Sequence, residues 1–73
     1  MGMAVKVKML MAARGLTLSA LGERMDPPTS GQNIGRKIRH DNLSENDLAA
    51  IAKACDARFE GVFVLNDTGM EIR

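Results

Sequence analysis

Gln32, Asn33 and Arg36 are the side chains whose types and spacing suit recognition chemistry. They fall in one stretch, Thr29-Ser30-Gly31-Gln32-Asn33-Ile34-Gly35-Arg36-Lys37-Ile38-Arg39. A side-chain amide presents a donor and an acceptor side by side, which matches the edge of adenine, and a guanidinium fork matches guanine. Lys37 and Arg39 add cations suited to phosphate oxygens. Apart from Asp41, no acidic residue occurs between Asp26 and Glu45. A helix N-terminus in this stretch would add a field favourable to anions. The alternative is an ordinary amphipathic helix whose polar face is only solvated, and the stretch alone does not choose between the two.

Other chemistry is thinly supplied. One cysteine, Cys55, cannot close an intramolecular disulfide, and with His40 as the single histidine there are too few ligands for a zinc site. No metal or cofactor is therefore expected. His40 and Asp41 are neighbours in sequence, which is not a catalytic geometry, and no Gly-rich phosphate loop follows a strand, so no enzyme is expected. Phe59 and Phe63 are the only aromatics and both read as core, which disfavours a single-stranded nucleic acid partner.

The elements that must hold the Thr29–Arg39 stretch follow from periodicity and caps. Met3, Val7, Leu10, Met11 and Arg14 recur at helical spacing, and Gly15 supplies a left-handed position that ends a helix over about 3–14. Thr17 caps a second helix reaching about Met25, with Leu21 and Met25 inward and Gly22 where a larger side chain would hold a neighbour away. Asp26-Pro27-Pro28 ends it, because a residue before proline is pushed out of α geometry. In the third helix Thr29 or Ser30 caps the start, Gln32 completes a capping-box pattern with Thr29, and Ile34 and Ile38 share the buried face. Two short helices joined by a turn, the second with an uncommitted polar start, form a helix-turn-helix pattern.

Leu43-Ser44-Glu45-Asn46-Asp47-Leu48 is the clearest local signal, a capping box with a hydrophobic staple opening a fourth helix to about Cys55. A buried Cys55 is expected there as a small core residue. From Phe59 to Leu65 the apolar period becomes two, which reads as one strand, and Asn66-Asp67-Thr68-Gly69 returns the chain through Met70 to Ile72 as a hairpin. A lone hairpin is marginal in water, so Val62, Val64 and Ile72 need a cover, and the same hairpin of a second copy would supply it. Phe59, Val62, Phe63, Val64, Leu65 and Ile72 are thus the expected dimerisation residues. The alternative is that the hairpin packs only on its own helices.

Seventy-three residues make one domain near the lower limit for a self-sufficient core, so a partner subunit is the expected support. The segments 1–58 and 59–73 read as a helical unit and its hairpin tail. The net charge of +1 hides an asymmetry: residues 1–42 carry seven Lys/Arg against three Asp/Glu, and residues 43–73 carry three against six. A basic half and an acidic half fit a polyanion partner better than a membrane. With no membrane-length apolar run and no signal-peptide core, a cytoplasmic location is expected.

With these elements placed, the chain resembles the lambda-repressor-like (Cro-type, xenobiotic-response-element) helix-turn-helix family over about residues 5–55. The resemblance rests on Gly15-Leu16-Thr17, Leu21 to Met25, Thr29-Ser30 through Ile34 and Ile38, and Leu43-Ser44 to Ile51-Ala52-Lys53-Ala54. The tail Phe63 to Gly69 looks like the last strand of a small bacterial and phage subgroup. The resemblance implies a mainly α, four-helix domain with a C-terminal β-hairpin, acting as a sequence-specific regulator of transcription. It implies a third helix in the major groove of double-stranded DNA and a homodimer on a pseudo-palindromic site. Carried over, Ser30, Gly31, Gln32, Asn33 and Arg36 face bases, while Thr17, Ser19, Lys37, Arg39 and, peripherally, His40 meet phosphates. The chain departs from the family's pattern in its longer turn at Asp26-Pro27-Pro28, in Leu18 where a glutamine is frequent, and in Gly22 where an alanine is frequent. The alternative function is an antitoxin or accessory module that keeps the fold and holds a second protein.

Overall fold

A computed structural model describes residues 3–73, so the first two residues of the expected 1–58 unit lie outside it. Four helices precede three short strands: α1 (Met3–Arg14), α2 (Leu18–Arg24), α3 (Gly31–Arg39), α4 (Glu45–Ala54), β1 (Ala57–Phe59), β2 (Phe63–Leu65) and β3 (Glu71–Ile72). Helix α1 buries Val7, Leu10 and Met11, the face its spacing predicts. It stops as expected at Gly15, whose φ is +66°. The Gly15 N–H donates to the Ala12 carbonyl at 3.2 Å and the Leu16 N–H to the Met11 carbonyl at 2.9 Å, which satisfies two of the helix's free acceptors.

Thr17 caps α2 by accepting from the Ala20 N–H at 3.2 Å. Helix α4 opens with the expected reciprocal box: the Ser44 hydroxyl accepts from the Asp47 N–H at 3.1 Å and Asp47 accepts from the Ser44 N–H at 3.0 Å. Of the two caps expected for α3, Ser30 is the one used, accepting from the Asn33 N–H at 3.1 Å. The Thr29–Gln32 box does not form. With Ser30 at the cap, the third helical position falls to Asn33, whose amide instead donates to the Thr29 hydroxyl at 3.1 Å.

The expected single strand from Phe59 to Leu65 is two strands. Glu60-Gly61-Val62 turns the chain, with Gly61 at φ +78° and the Glu60 N–H donating to the Val62 carbonyl at 2.9 Å. A three-residue turn preserves the odd–even alternation on either side, so period-two apolarity runs through it unbroken. Phe59 pairs directly with Phe63, their rings 5.3 Å apart. β2 is the centre of an antiparallel sheet ordered β1-β2-β3.

One core joins both parts of the chain. Val7, Leu10, Leu21, Ile34, Ile38, Leu48, Ile51 and Cys55 from the helices pack with Ala57, Phe63, Leu65 and Ile72 from the sheet. This corrects the reason given for a dimer. Phe63, Leu65 and Ile72 are buried inside a single chain, and Phe59 is half-buried against the same core. Val64 points to the other face yet is only 5% exposed. Its cross-strand partners are Arg58 and Glu71. Their stems cover it while Arg58 pairs with Glu60 and Arg73 with Glu71. Val62, in the turn, is half-buried. The fold therefore closes the tail on its own helices, and only the edges β1 and β3 are left for strand pairing.

The junction of α1, α4 and the β2–β3 turn is held by Arg14. Its guanidinium donates to the Cys55 and Asp56 carbonyls, each at 2.8 Å, and to both carboxylate oxygens of Asp67 at 2.8 and 3.1 Å. The fork meets two last-turn acceptors of α4 that no helical partner reaches. No helix of the described residues is long and apolar enough to cross a membrane.

Candidate nucleic-acid interface

Helix α3 is fixed from both sides before any of its outward residues is considered. On one flank its start lies against α2. A Cβ built on Gly31 would come within 3.0 Å of the Ser19 nitrogen and 3.2 Å of the Leu18 carbonyl carbon. A Cβ on Gly22 would meet the Thr29 carbonyl oxygen at 2.3 Å. The two elements thus touch through backbone, and the Thr29 N–H donates to the Gly22 carbonyl at 2.9 Å. On the other flank Lys37 reaches the N-terminal turn of α4, its Nζ 3.0 Å from Asp47 Oδ1. The Ser44 N–H and then Lys37 hold Asp47 below the usual carboxylate range, against a desolvation that pulls the other way.

With Ile34 and Ile38 buried, Gln32 and Arg36 fall one turn apart on the opposite, outward side. Both are exposed, and among the described residues neither makes a hydrogen bond or an ion pair to another side chain. Arg39 is exposed near the end of the same helix, and His40 is its C-cap. No acid lies on α3. Across the described residues four cations are in ion pairs, Arg14, Lys37, Arg58 and Arg73, and only Lys37 of these belongs to α3.

Not every residue carried over from the resemblance reaches this outward side. Gly31 faces α2, so it serves close packing rather than base contact. Asn33 lies on the α4 flank, beside Thr29 and Lys37 above a cavity floored by Met25, Ile34 and Ile51. One of its amide donors is already given to Thr29. Lys37 is committed to Asp47 and is not a free phosphate contact. Ser30 is exposed but its oxygen accepts the capping bond. Thr17 and Ser19 are exposed in the first turn of α2, beside the start of α3.

Lys8 is the residue that sequence reasoning missed. It lies across a groove from Arg39, with Met11, Leu18, Gly35 and Ile38 between them. Helical spacing does put Lys8 beside the buried Met11, but which element stands opposite is a property of the packed chain.

Compared with family models, curated proteins and solved structures, the chain matches none.

Proposed function

We propose that this chain is a sequence-specific, double-stranded DNA-binding regulator of transcription that lays α3 in the major groove. The observation that carries the reading is the outward row of Gln32 and Arg36. It is exposed, unengaged and free of acids, on a helix held on both flanks by backbone contact and an ion pair. Such rigidity is what a bidentate contact needs, since each good amide–adenine or guanidinium–guanine pair is worth about 1–3 kcal/mol of discrimination only if its geometry is fixed. Gln32 and Arg36 are assigned to bases. Arg39, with Ser30, Thr17, Ser19 and His40 around it, is assigned to backbone phosphates. A two-fold dimer on a pseudo-palindrome remains part of the proposal, and in the tail it would use the edge of β1 or β3 rather than the faces.

A second reading has one observation in its favour. Val5 and Met9 lie one turn apart on α1 and are 47% and 40% exposed, an apolar outer side that suits a protein contact. The accessory-module reading uses that side and leaves α3 idle.

Selection of bound duplexes from a random library tests the first reading. A common motif should emerge, and Gln32→Ala or Arg36→Ala should each relax one position of it. Arg39→Ala should weaken all sequences alike and lower the salt dependence, whereas Lys37→Ala, which removes a cation already paired, should change that dependence less. A library that shows no enrichment at any salt concentration refutes the reading.

A further inference from the structure

Between α1, the start of α2 and α3 runs a groove of about 290 Å³ lined by Lys8, Met11, Leu18, Gly35, Ile38 and Arg39. Its two charged residues are both cations, and no acid lines it. Among the described residues neither Lys8 nor Arg39 has an ion-pair partner. The floor is apolar: Met11 and Ile38 are buried, and Leu18 is 39% exposed although it opens a helix. Gly35 leaves the α3 wall without a side chain, and the Leu18 Cδ1 is the one atom a Cβ there would meet within 4 Å. The groove therefore has a narrow apolar base with a positive charge on each bank. It runs beside the outward side of α3, because Arg39 follows Arg36 by three residues on the same helix.

We propose that this groove seats one phosphodiester of the duplex backbone, with Lys8 and Arg39 on the phosphate oxygens and the adjoining deoxyribose against Leu18. The inference rests on the DNA-binding reading and adds to it a contact from α1. Two unpaired like charges facing one cleft repel until an anion enters, and a phosphodiester brings both the anion and a compact apolar ring. A free inorganic anion would leave Leu18 and the apolar floor uncovered. A strand seated here also fixes the distance between the backbone and the row of Gln32 and Arg36, which sets the depth at which α3 enters the groove.

The test uses the full chain and the duplex obtained by selection. Lys8→Gln is compared with Lys53→Gln, which removes the same charge from the exposed side of α4, beside Arg24 and Asp26. Neutral methylphosphonate is scanned along each strand, one linkage at a time. Lys8→Gln should reduce the slope of log affinity against log salt by about one, the value for one lost phosphate contact, and leave the selected motif unchanged. Lys53→Gln should leave the slope as it is. One linkage in each half-site should cost the parent chain about tenfold in affinity when neutralised and cost Lys8→Gln little. If the parent binds the selected duplex but Lys8→Gln behaves as Lys53→Gln does, or no linkage couples to Lys8, this inference is overturned and the DNA-binding reading stands. If the parent selects no duplex, both fall.

Discussion

Replacing Gly22 by alanine puts a methyl group 2.3 Å from the Thr29 carbonyl oxygen and within 3.3 Å of the Thr29 and Ser30 carbonyl carbons. All three neighbours are backbone atoms, so relief requires the segment leading into α3 to retreat by roughly 1 Å. That shift strains the 2.9 Å hydrogen bond from the Thr29 N–H to the Gly22 carbonyl and moves the Ser30 cap. Overpacking costs about 1–3 kcal/mol. The strained hydrogen bond costs about 0.5–1.5 kcal/mol. Alanine's better helix propensity returns about 1 kcal/mol. The net loss is about 2 kcal/mol, a large share of the roughly 4–11 kcal/mol that a chain of this length has in total. For a domain this small the melting temperature should fall by about 10 °C or more. Gly35→Ala is the internal control. The atom its methyl would meet is the far end of Leu18, 3.2 Å away on a side chain that is 39% exposed and free to rotate. Propensity should then prevail, stabilising the fold by up to about 1 kcal/mol. Thermal and urea unfolding followed by circular dichroism reads both. A Gly22→Ala chain as stable as the parent, or a Gly35→Ala chain destabilised to the same degree, would refute the assignment of Gly22 to a backbone contact.

Two further outcomes follow from the titratable groups. The hydrogen bonds from Arg14 depress the Asp67 carboxyl to about 2, below its unfolded value near 4. Its contribution to stability is therefore full above about pH 4 and is lost as the pH falls towards about 2. Asp67→Asn should be less stable than the parent at neutral pH and should show a shallower loss between those limits in acid titrations of the melting temperature; an unchanged acid limb would count against the clamp. Burial raises the Cys55 thiol to about 11, so in the folded chain it should label slowly with an aromatic disulfide reagent near about pH 8 and rapidly in urea. Immediate stoichiometric labelling without denaturant would contradict its place in the core.

What the sequence disclosed was local. Gly15 as a stop, Thr17 and Ser44 as caps, and the Ser44–Asp47 box all depend on residues within a few positions of one another, and each stands where its type predicts. Ile34 and Ile38 identified the buried side of α3, and hence the outward row, from spacing alone. What stayed hidden depends on partners far along the chain. Arg14 reads as the last residue of a helix, and nothing near it announces Asp67, which it binds across 53 positions. Lys37 looks like a free cation until α4 brings Asp47 beside it. Gly31 reads as a flexible residue in a recognition turn, whereas its lack of a side chain is what lets α3 approach α2. The strand from Phe59 misled for a different reason, since a three-residue turn leaves an alternating pattern looking continuous.

The contact between α2 and α3 carries one more consequence. Because Gly22 and Gly31 bring main chain against main chain, the angle between those helices does not depend on which side chains occupy the outward row. Gln32 and Arg36 touch no neighbour that would register their loss. The frame and the reading head are separate parts, so the head could be exchanged for other residues while the frame keeps its shape, as a type block is changed in a press that is not rebuilt.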